Sequence, residues 1–201
     1  DDGFPGSLAD TQEQRSVTQQ CFDDAVRPAF EDLKARGLIK AWGITGTGHP
    51  DAIEAVLRSE HKPDVVQIVT NLLDSPGSLK RYLEPARPRS LIQIAAERDI
   101  GVMGIRAVQA GALTTAFDRR IGPHHPEMQD FERAAPFRAL CKQWGNDPAV
   151  IAHRYALAMT GVDTVVLGVK NRQELLACLG GAEPLEPEQM NEIDALGLQR
   201  L

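Results

Sequence analysis

The sequence predicts an α/β fold in which helices cover four parallel strands, and two observations support this. Four short, nearly unbroken apolar segments begin near residues 40, 65, 102 and 164, and such segments are typical of buried parallel strands. Amphipathic helical patterns separate them, and every connection is long enough for a crossover helix. We expect residues 1–201 to form one domain, or one part of a domain, with residues 1–20 as a loop or tail.

The first half of the chain contains two predicted strands. Apolar side chains recur at helical spacing over residues 22–33, and Gly37 follows where a helix C-cap is expected. The apolar segment 38–44 predicts the first strand. A helix that begins near Pro50 connects it to the second strand, which the β-branched segment 65–69 predicts.

The second half of the chain continues the same alternation. A helical pattern over residues 91–98 leads into the third predicted strand at 100–105. The segment from 106 to about 130 is rich in Gly, His and Pro, so we expect it to be the longest irregular segment. Long irregular segments often serve as lids or binding loops.

Two further helices and a strand complete the predicted elements. The helices are expected at residues 131–143 and 148–159, and the fourth strand at 164–167. Asn171 and Glu174 are spaced as in a capping box, which predicts that a helix begins at this point.

Composition and charge exclude several classes of protein. Lys and Arg number 22 against 28 Asp and Glu, which gives a net charge of −6. Binding to nucleic acid or to a membrane surface needs a concentrated basic region, so a small-molecule partner fits better. The sequence also has no stretch of about 18 apolar residues and no secretory leader pattern, so we expect a cytoplasmic location.

The cysteines favour neither disulfides nor a zinc site. Cys21, Cys141 and Cys178 are odd in number and far apart, and no CxxC pair occurs. We expect them to be small, reduced core residues. His124 and His125 are adjacent on a loop flanked by prolines, without acidic or cysteine side chains at ligand spacing, so we expect no metal there.

Parallel sheets and barrels bind ligands at the C-terminal ends of their strands, which directs attention to the loops that follow them. After the first strand, Thr45 and Gly46 lead into a helix N-terminus, so this turn either approaches an anionic ligand or is simply tight. Gln67 lies inside an apolar strand. Its amide needs a hydrogen-bond partner, either in the core or on a ligand.

The loops after the last two strands offer cationic groups. Arg106 directly follows the third strand and is suited to a phosphate or carboxylate, although an acidic neighbour could equally pair with it. Gly168, Val169, Lys170 and Asn171 lead into a helix N-terminus, which predicts an anion site. The alternative for this segment is a capped helix with an exposed lysine.

Together these segments resemble the aldo/keto reductases, which are NAD(P)-dependent oxidoreductases with a (β/α)8 barrel. The resemblance runs from about Phe30 to Leu196, and its motifs occur in the family's order. The matching segments are residues 33–45, 65–67 with 71–74, 101–104 with Gly111, and 164–171. The resemblance implies that the chain is the C-terminal half of a (β/α)8 TIM barrel, with about four parallel strands and their helices.

The resemblance also implies a cofactor site for NADP or NAD. By position, Thr45, Gly46 and Gln67 would hold the nicotinamide carboxamide, and only Gln67 matches the family unchanged. Ile105 lies near the position of a stacking aromatic ring, and Arg106 lies where one branch has Lys. The diphosphate and adenosine would be bound by Gly168, Val169, Lys170 and Asn171.

Two further positions bear on the choice between the two cofactors. Glu174 lies near where some members use Arg for the 2′-phosphate of NADP, and Cys178 replaces an Asn that commonly contacts the adenine. Because Glu174 provides no cation for the 2′-phosphate, the expectation of NADPH rather than NADH is weakened. Thr45 and Gly46 resemble the aldose (galactose-type) dehydrogenase branch, which hints at a sugar substrate.

The implied reaction is hydride transfer between a nicotinamide and an aldehyde, ketone or sugar. The family's catalytic Asp, Tyr, Lys and His come from its first four strands, and neither Tyr82 nor Tyr155 matches their positions. We therefore assign no catalytic residue and expect the chain alone to be inactive. Because it begins with Asp1 rather than Met, we expect a first half upstream. The alternative is a non-catalytic nucleotide-binding or assembly half-barrel that pairs with another chain or with itself.

Overall fold

The computed structural model describes residues 17–180 and 183–199, so most of the predicted N-terminal tail lies outside the described residues. Its sheet has four strands in the order β1-β2-β3-β4, and every neighbouring pair is parallel. The strands are Gly43–Thr45 (β1), Val65–Val69 (β2), Gly101–Ile105 (β3) and Thr164–Val165 (β4). This arrangement confirms the predicted α/β class.

Helices connect the strands and continue after the last one. A π-helical segment, Phe22–Val26, separates α1 from α2, and Pro28 lies in the first turn of α2. The helices are Gln19–Cys21 (α1), Arg27–Ala35 (α2), Pro50–Arg58 (α3), Pro88–Glu97 (α4), Pro126–Arg133 (α5), Ala135–Gln143 (α6), Pro148–Ala158 (α7), Arg172–Gly180 (α8) and Pro187–Asp194 (α9). None of the helices in the described ranges is long and apolar enough to cross a membrane.

The two faces of the sheet differ in burial. Val66, Ile68 and Val102 are buried, and α4 contacts both β2 and β3. Because successive side chains of a strand point to opposite faces, Gln67 and Met103 lie on the other face, where both are partly exposed. They are also register partners across β2 and β3. The helices therefore cover one face of the sheet, and the other carries the polar Gln67.

The core extends from the sheet into the later helices. Its largest fully buried side chains include Leu57 of α3, Phe137 of α6, Tyr155 of α7 and Ile193 of α9. All four of these helices contribute apolar residues to this cluster. Helices α6, α7 and α9 thus belong to the same core as the strands.

The predicted first strand is shorter than expected. Gly37 has φ 69°, and the Leu38 amide donates to the Leu33 carbonyl at 3.0 Å, so these residues form the C-cap of α2. Leu38 is 61% exposed. Trp42 instead contributes the apolar packing before β1, with its ring stacked on Phe30 at 5.9 Å between centroids.

The prediction of one helix over residues 131–143 is wrong, because the structure has α5 and α6 with a break at Ala134. Pro136 lacks an amide hydrogen and cannot continue the hydrogen-bond ladder of α5. Helix α5 also begins earlier than predicted, since His125 caps it by accepting from the Glu127 amide at 3.3 Å. The irregular segment after β3 is correspondingly shorter.

Candidate functional site

The end of β1 and the middle of β2 bring together three of the predicted site residues. Thr45 and Gln67 are register partners. The Thr45 hydroxyl donates to Gln67 Oε1 at 3.2 Å, and the Gly46 amide donates to the Gln67 backbone carbonyl at 2.7 Å. A hydroxyl, a carboxamide and a glycine thus form one polar group at the C-terminal edge of the sheet.

Gly46 is required at this point by the close approach of two backbones. A Cβ atom there would lie 3.0 Å from the Gln67 carbonyl oxygen and 3.2 Å from Val66 Cγ2. Both distances are tighter than ordinary van der Waals contact. The glycine therefore lets the β1 exit turn lie directly against β2.

Ile105 and Arg106 lie at the end of β3, and their side chains have different surroundings. Ile105 is partly exposed, and its carbonyl accepts from the Thr70 amide at 2.9 Å. The Arg106 guanidinium donates through Nε to Gln109 Oε1 at 3.0 Å and through NH2 to Glu127 Oε1 at 2.8 Å. Of the two partners that the sequence left open for Arg106, the structure shows the acidic neighbour.

A buried polar network joins the loops that follow β2 and β3 to α5. Its members are Asn71, Ser75, Gln109, Glu127 and Asp130. Each of these residues is at most 1% exposed. Asp130 Oδ2 accepts from the Ser75 hydroxyl at 2.5 Å and from Gln109 Nε2 at 2.7 Å. Asn71 Nδ2 donates to the Ser75 carbonyl at 3.0 Å. The network ties both loops to α5.

Glu127 is the most strongly perturbed carboxylate of this network. Burial by itself raises its pKa, but hydrogen bonds from Ser78 and Arg106 outweigh burial and hold the pKa at about 2. Glu127 is therefore ionised at neutral pH and forms a buried ion pair with Arg106.

Sequence reasoning missed this network. Its one local signal is the spacing of Glu127 and Asp130, which places both carboxylates on one face of a helix. Their partners Ser75 and Gln109 are distant along the chain, and the two carboxylates fell in a segment interpreted as a loop and helix start.

The predicted anion loop, Gly168–Asn171, lies at the opposite end of the sheet edge, after β4. The capping box is confirmed, since the Glu174 amide donates to Asn171 Oδ1 at 2.9 Å. The Glu174 carboxylate in turn accepts from the Lys170 amide at 2.8 Å. Lys170 Nζ forms an ion pair with Asp118. Carboxylates of the chain itself therefore occupy the Lys170 amide, the Lys170 ammonium and the Asn171 side-chain amide.

The two tyrosines of the chain differ in their position relative to the polar group of β1 and β2, because Tyr82 lines a cleft with Gly46. Tyr155 is fully buried, and its hydroxyl accepts from Arg89 at 2.7 Å and donates to Asp194 at 2.5 Å. Burial raises the pKa of Tyr155 well above its ordinary value. Tyr82 packs against His49, with 5.8 Å between ring centroids. Among the described contacts, neither hydroxyl bonds to Gln67.

The cysteines and histidines form no metal centre in the described part of the chain, where no three His, Cys, Asp or Glu side chains are arranged around a cation. Cys178 Sγ lies 3.6 Å from His153 Nδ1. Burial raises the pKa of the Cys178 thiol and lowers that of His153, so burial favours the neutral form of both groups. Cys141 and Cys178 are buried as predicted, whereas Cys21 is exposed, so the prediction of a core position is wrong for Cys21.

Comparisons with known proteins agree with this arrangement. The family model described as the aldo/keto reductase family matches residues 10–197. The aldo-keto reductase AKR11C1 from Bacillus halodurans is similar in its apo form, with 22% identity and a TM-score of 0.63 over 87% of this chain and 58% of that one. Its holo form gives 19% identity and a TM-score of 0.65 over 94% and 65% of the two chains.

A third similar structure is the thermostable aldo-keto reductase Tm1743 in complex with the inhibitor epalrestat, with 16% identity and a TM-score of 0.56 over 85% of this chain and 53% of that one. No curated protein matches the chain. The chain spans between 53% and 65% of the length of these three structures, and its four parallel strands correspond to part of their fold. Since the family model matches nearly the whole sequence, the chain belongs to the aldo/keto reductase family.

Proposed function

We propose that this chain is the cofactor-holding part of an aldo/keto reductase. It would bind NADH or NADPH along the C-terminal edge of the sheet, and the complete enzyme would transfer hydride between the nicotinamide and an aldehyde, ketone or sugar. The observation that carries this proposal is the pairing of Thr45 with Gln67 beside Gly46 at the strand ends.

The polar group of β1 and β2 fits a nicotinamide carboxamide. A carboxamide has one acceptor oxygen and two donor hydrogens. The Gln67 side chain offers the complementary acceptor and donors, and the Thr45 hydroxyl can donate or accept. Ile105, at the end of β3, supplies an apolar surface in place of an aromatic ring. These residues would orient the nicotinamide, which supplies the hydride when it is bound.

The loop after β4 fits a diphosphate only if its present contacts rearrange. The Lys170 amide and Nζ would exchange Glu174 and Asp118 for phosphate oxygens. The Glu174 carboxylate would also repel an additional phosphate nearby. We therefore expect NADH to bind more tightly than NADPH.

We assign no proton donor at this site among the described residues. Tyr155 is buried and bonded elsewhere, and Tyr82 lines the cleft beside Gly46 but packs against His49 and has no described hydrogen bond to Gln67. A general acid must lie within hydrogen-bond reach of the carbonyl oxygen that it protonates. We therefore expect the 201-residue chain to bind cofactor without reducing a carbonyl.

The test is a titration of the chain with NADH and NADPH by calorimetry, comparing the wild type with Gln67→Ala. Loss of a neutral hydrogen bond costs about 0.5–1.5 kcal/mol, so we expect roughly two- to tenfold weaker binding. Gln93→Ala is the matched control, because Gln93 lies on the exposed face of α4 and bonds only to Glu97 among the contacts described.

Two results would overturn this proposal. Absence of NADH and NADPH binding at millimolar concentration would exclude a cofactor site in this chain, and equal affinity of wild type and Gln67→Ala would place the site elsewhere. Robust carbonyl reduction by the chain alone would contradict the expectation that it lacks a proton donor.

A second candidate function is assembly with another chain. The strand end and the helix after it expose six apolar side chains, each at least 36% accessible: Val166, Leu167, Val169, Leu175, Leu176 and Leu179. Exposed apolar side chains beside a sheet edge favour association. Light scattering at micromolar concentration tests it, and a monomer would contradict it.

A further inference from the structure

We propose that Glu127 and Asp130 of α5 are positioning residues for the β3 exit loop, residues 106–111, and that Arg106 acts within this network rather than as a direct ligand of the cofactor. The inference rests on the proposed function, because the loop begins immediately after Ile105 in the proposed nicotinamide site.

The β3 exit loop adopts an unfavourable backbone conformation. Arg106, Gln109 and Ala110 have φ values of 61°, 46° and 49°, in the left-handed region that non-glycine residues rarely adopt. Such conformations persist only where surrounding contacts enforce them, and they concentrate at ligand sites and switches. The loop therefore depends on groups outside itself.

The contacts that enforce this conformation come from α5. Glu127 accepts from Arg106 at 2.8 Å, and Asp130 accepts from Gln109 at 2.7 Å. Arg106 and Gln109 also bond to each other at 3.0 Å, and Asn71 donates to the Arg106 carbonyl at 3.2 Å. Two of the three left-handed residues are thus held by carboxylates one helical turn apart.

Arg106 cannot leave this network without cost. Its side chain is 17% exposed, and Glu127 is 1% exposed. If the guanidinium turned toward a phosphate, the buried Glu127 carboxylate would lose its arginine partner and keep only Ser78 and His125 beside it. The arrangement therefore favours a structural role for Arg106.

The conformation of the β3 exit loop affects the proposed nicotinamide site through Ile105, which directly precedes the loop. The Ile105 carbonyl accepts from the Thr70 amide, and the strained backbone begins at the next residue. When the network is weakened, we expect the loop to relax and Ile105 to shift at the nicotinamide position.

The experiment is a double-mutant cycle in the full 201-residue chain, using NADH as the probe. We expect Glu127→Gln and Arg106→Ala each to weaken NADH binding about tenfold, and the double variant to bind no more weakly than either single variant. A ligand role for Arg106 would instead give unchanged binding in Glu127→Gln, or a further loss in the double variant, and either result would overturn the proposal.

Hydrogen exchange without cofactor supplies a second readout. The Gly111 and Leu113 amides both donate to the Val108 carbonyl, so they report on the loop. We expect faster exchange there in Glu127→Gln and Asp130→Asn. Tyr155→Phe is the control, because it loses buried hydrogen bonds elsewhere and should lower Tm while leaving this exchange and the NADH affinity unchanged.

The two readouts separate this inference from the proposed function. If the wild-type chain does not bind NADH, the proposed function fails. Faster exchange confined to the loop would then support the role of α5 in positioning it, and unchanged loop exchange would overturn that role. If Glu127→Gln does not fold, Ser78→Ala removes a donor to the same carboxylate. It is expected to change the exchange in the same direction by a smaller factor.

Discussion

The two ends of the sheet's C-terminal edge are held by different physical means. Beside β2 and β3, the loops are fixed by fully buried carboxylates, Glu127 and Asp130, that bond to several donors each. Beside β4, the loop is held by Glu174 and by the ion pair of Lys170 with Asp118, whose side chains are 63% and 40% exposed.

This difference divides the edge into a rigid part and an adaptable part. Buried charged hydrogen bonds have no water to replace them, so their loss is costly. Exposed ion pairs are screened and exchange readily with solvent. The β2–β3 end is suited to fixing the orientation of a ring, and the β4 end to accepting an anion in place of its own carboxylates.

The largest expected difference between the ends comes from removing one carboxylate at each. Asp130→Ala leaves the Ser75 hydroxyl, the Gln109 amide and the Arg133 guanidinium without a shared acceptor. Breaking such a buried arrangement lowers the free energy of unfolding by about 3–5 kcal/mol.

Asp118→Ala removes only an exposed partner and should leave Tm unchanged. Urea denaturation of Asp130→Ala and Asp118→Ala measures the free energy of unfolding of each variant against the wild type. Coincident unfolding curves for the two would show that the ends do not differ.

A pH titration should reveal the contribution of Glu127. Its pKa is about 2 in the folded chain against an ordinary value of 4.5, so its stabilisation is complete above about pH 4.5 and is lost as pH falls toward 2. The shift corresponds to about 3 kcal/mol at neutral pH.

The measurement for Glu127 is the unfolding free energy of wild type and Glu127→Gln at neutral pH and near pH 3. The difference between the two proteins should shrink by most of that amount in acid. A difference that stays constant with pH would show that the Glu127 charge contributes nothing.

The smallest expected effect on stability comes from substituting one glycine at each end of the C-terminal edge of the sheet. At Gly104 in β3, a Cβ atom would overlap Thr70 Oγ1 and lie 3.0 Å from Thr70 Cγ2, and Thr70 is fully buried. Overpacking of this kind lowers stability by about 1–3 kcal/mol, so Gly104→Ala should do so.

At Gly168, a Cβ atom would meet nothing within 4 Å, so Gly168→Ala should change stability by less than about 0.5 kcal/mol. Thermal unfolding compares the two variants. Equal Tm values would mean that packing beside β3 is no tighter than beside β4.

The strands and caps of this fold could be predicted because their signals are local. The β-branched segment 65–69 is β2 as expected, and Asp147 caps α7 by accepting from the Ala149 amide at 2.8 Å. The box of Asn171 and Glu174 was also predicted correctly. In each case a short stretch of sequence specifies the backbone directly.

The polar network could not be predicted, because its partners meet only after the sheet has formed. Arg106 and Gln109 adopt left-handed conformations that no glycine or asparagine signals. Ser75 and Asp130 are separated by 55 residues, yet share a 2.5 Å hydrogen bond. Tertiary contacts override the local backbone preferences here.

The stacking of Trp42 on Phe30 gives the chain an optical reporter beside its proposed site. Trp42 is 4% exposed, donates to Glu31 at 2.7 Å and lies three residues before Thr45. Indole emission overlaps the absorption of a reduced nicotinamide, so a cofactor held at the β1–β2 edge would quench Trp42 by energy transfer. Trp144, which packs against the core at the end of α6, contributes to the same spectrum.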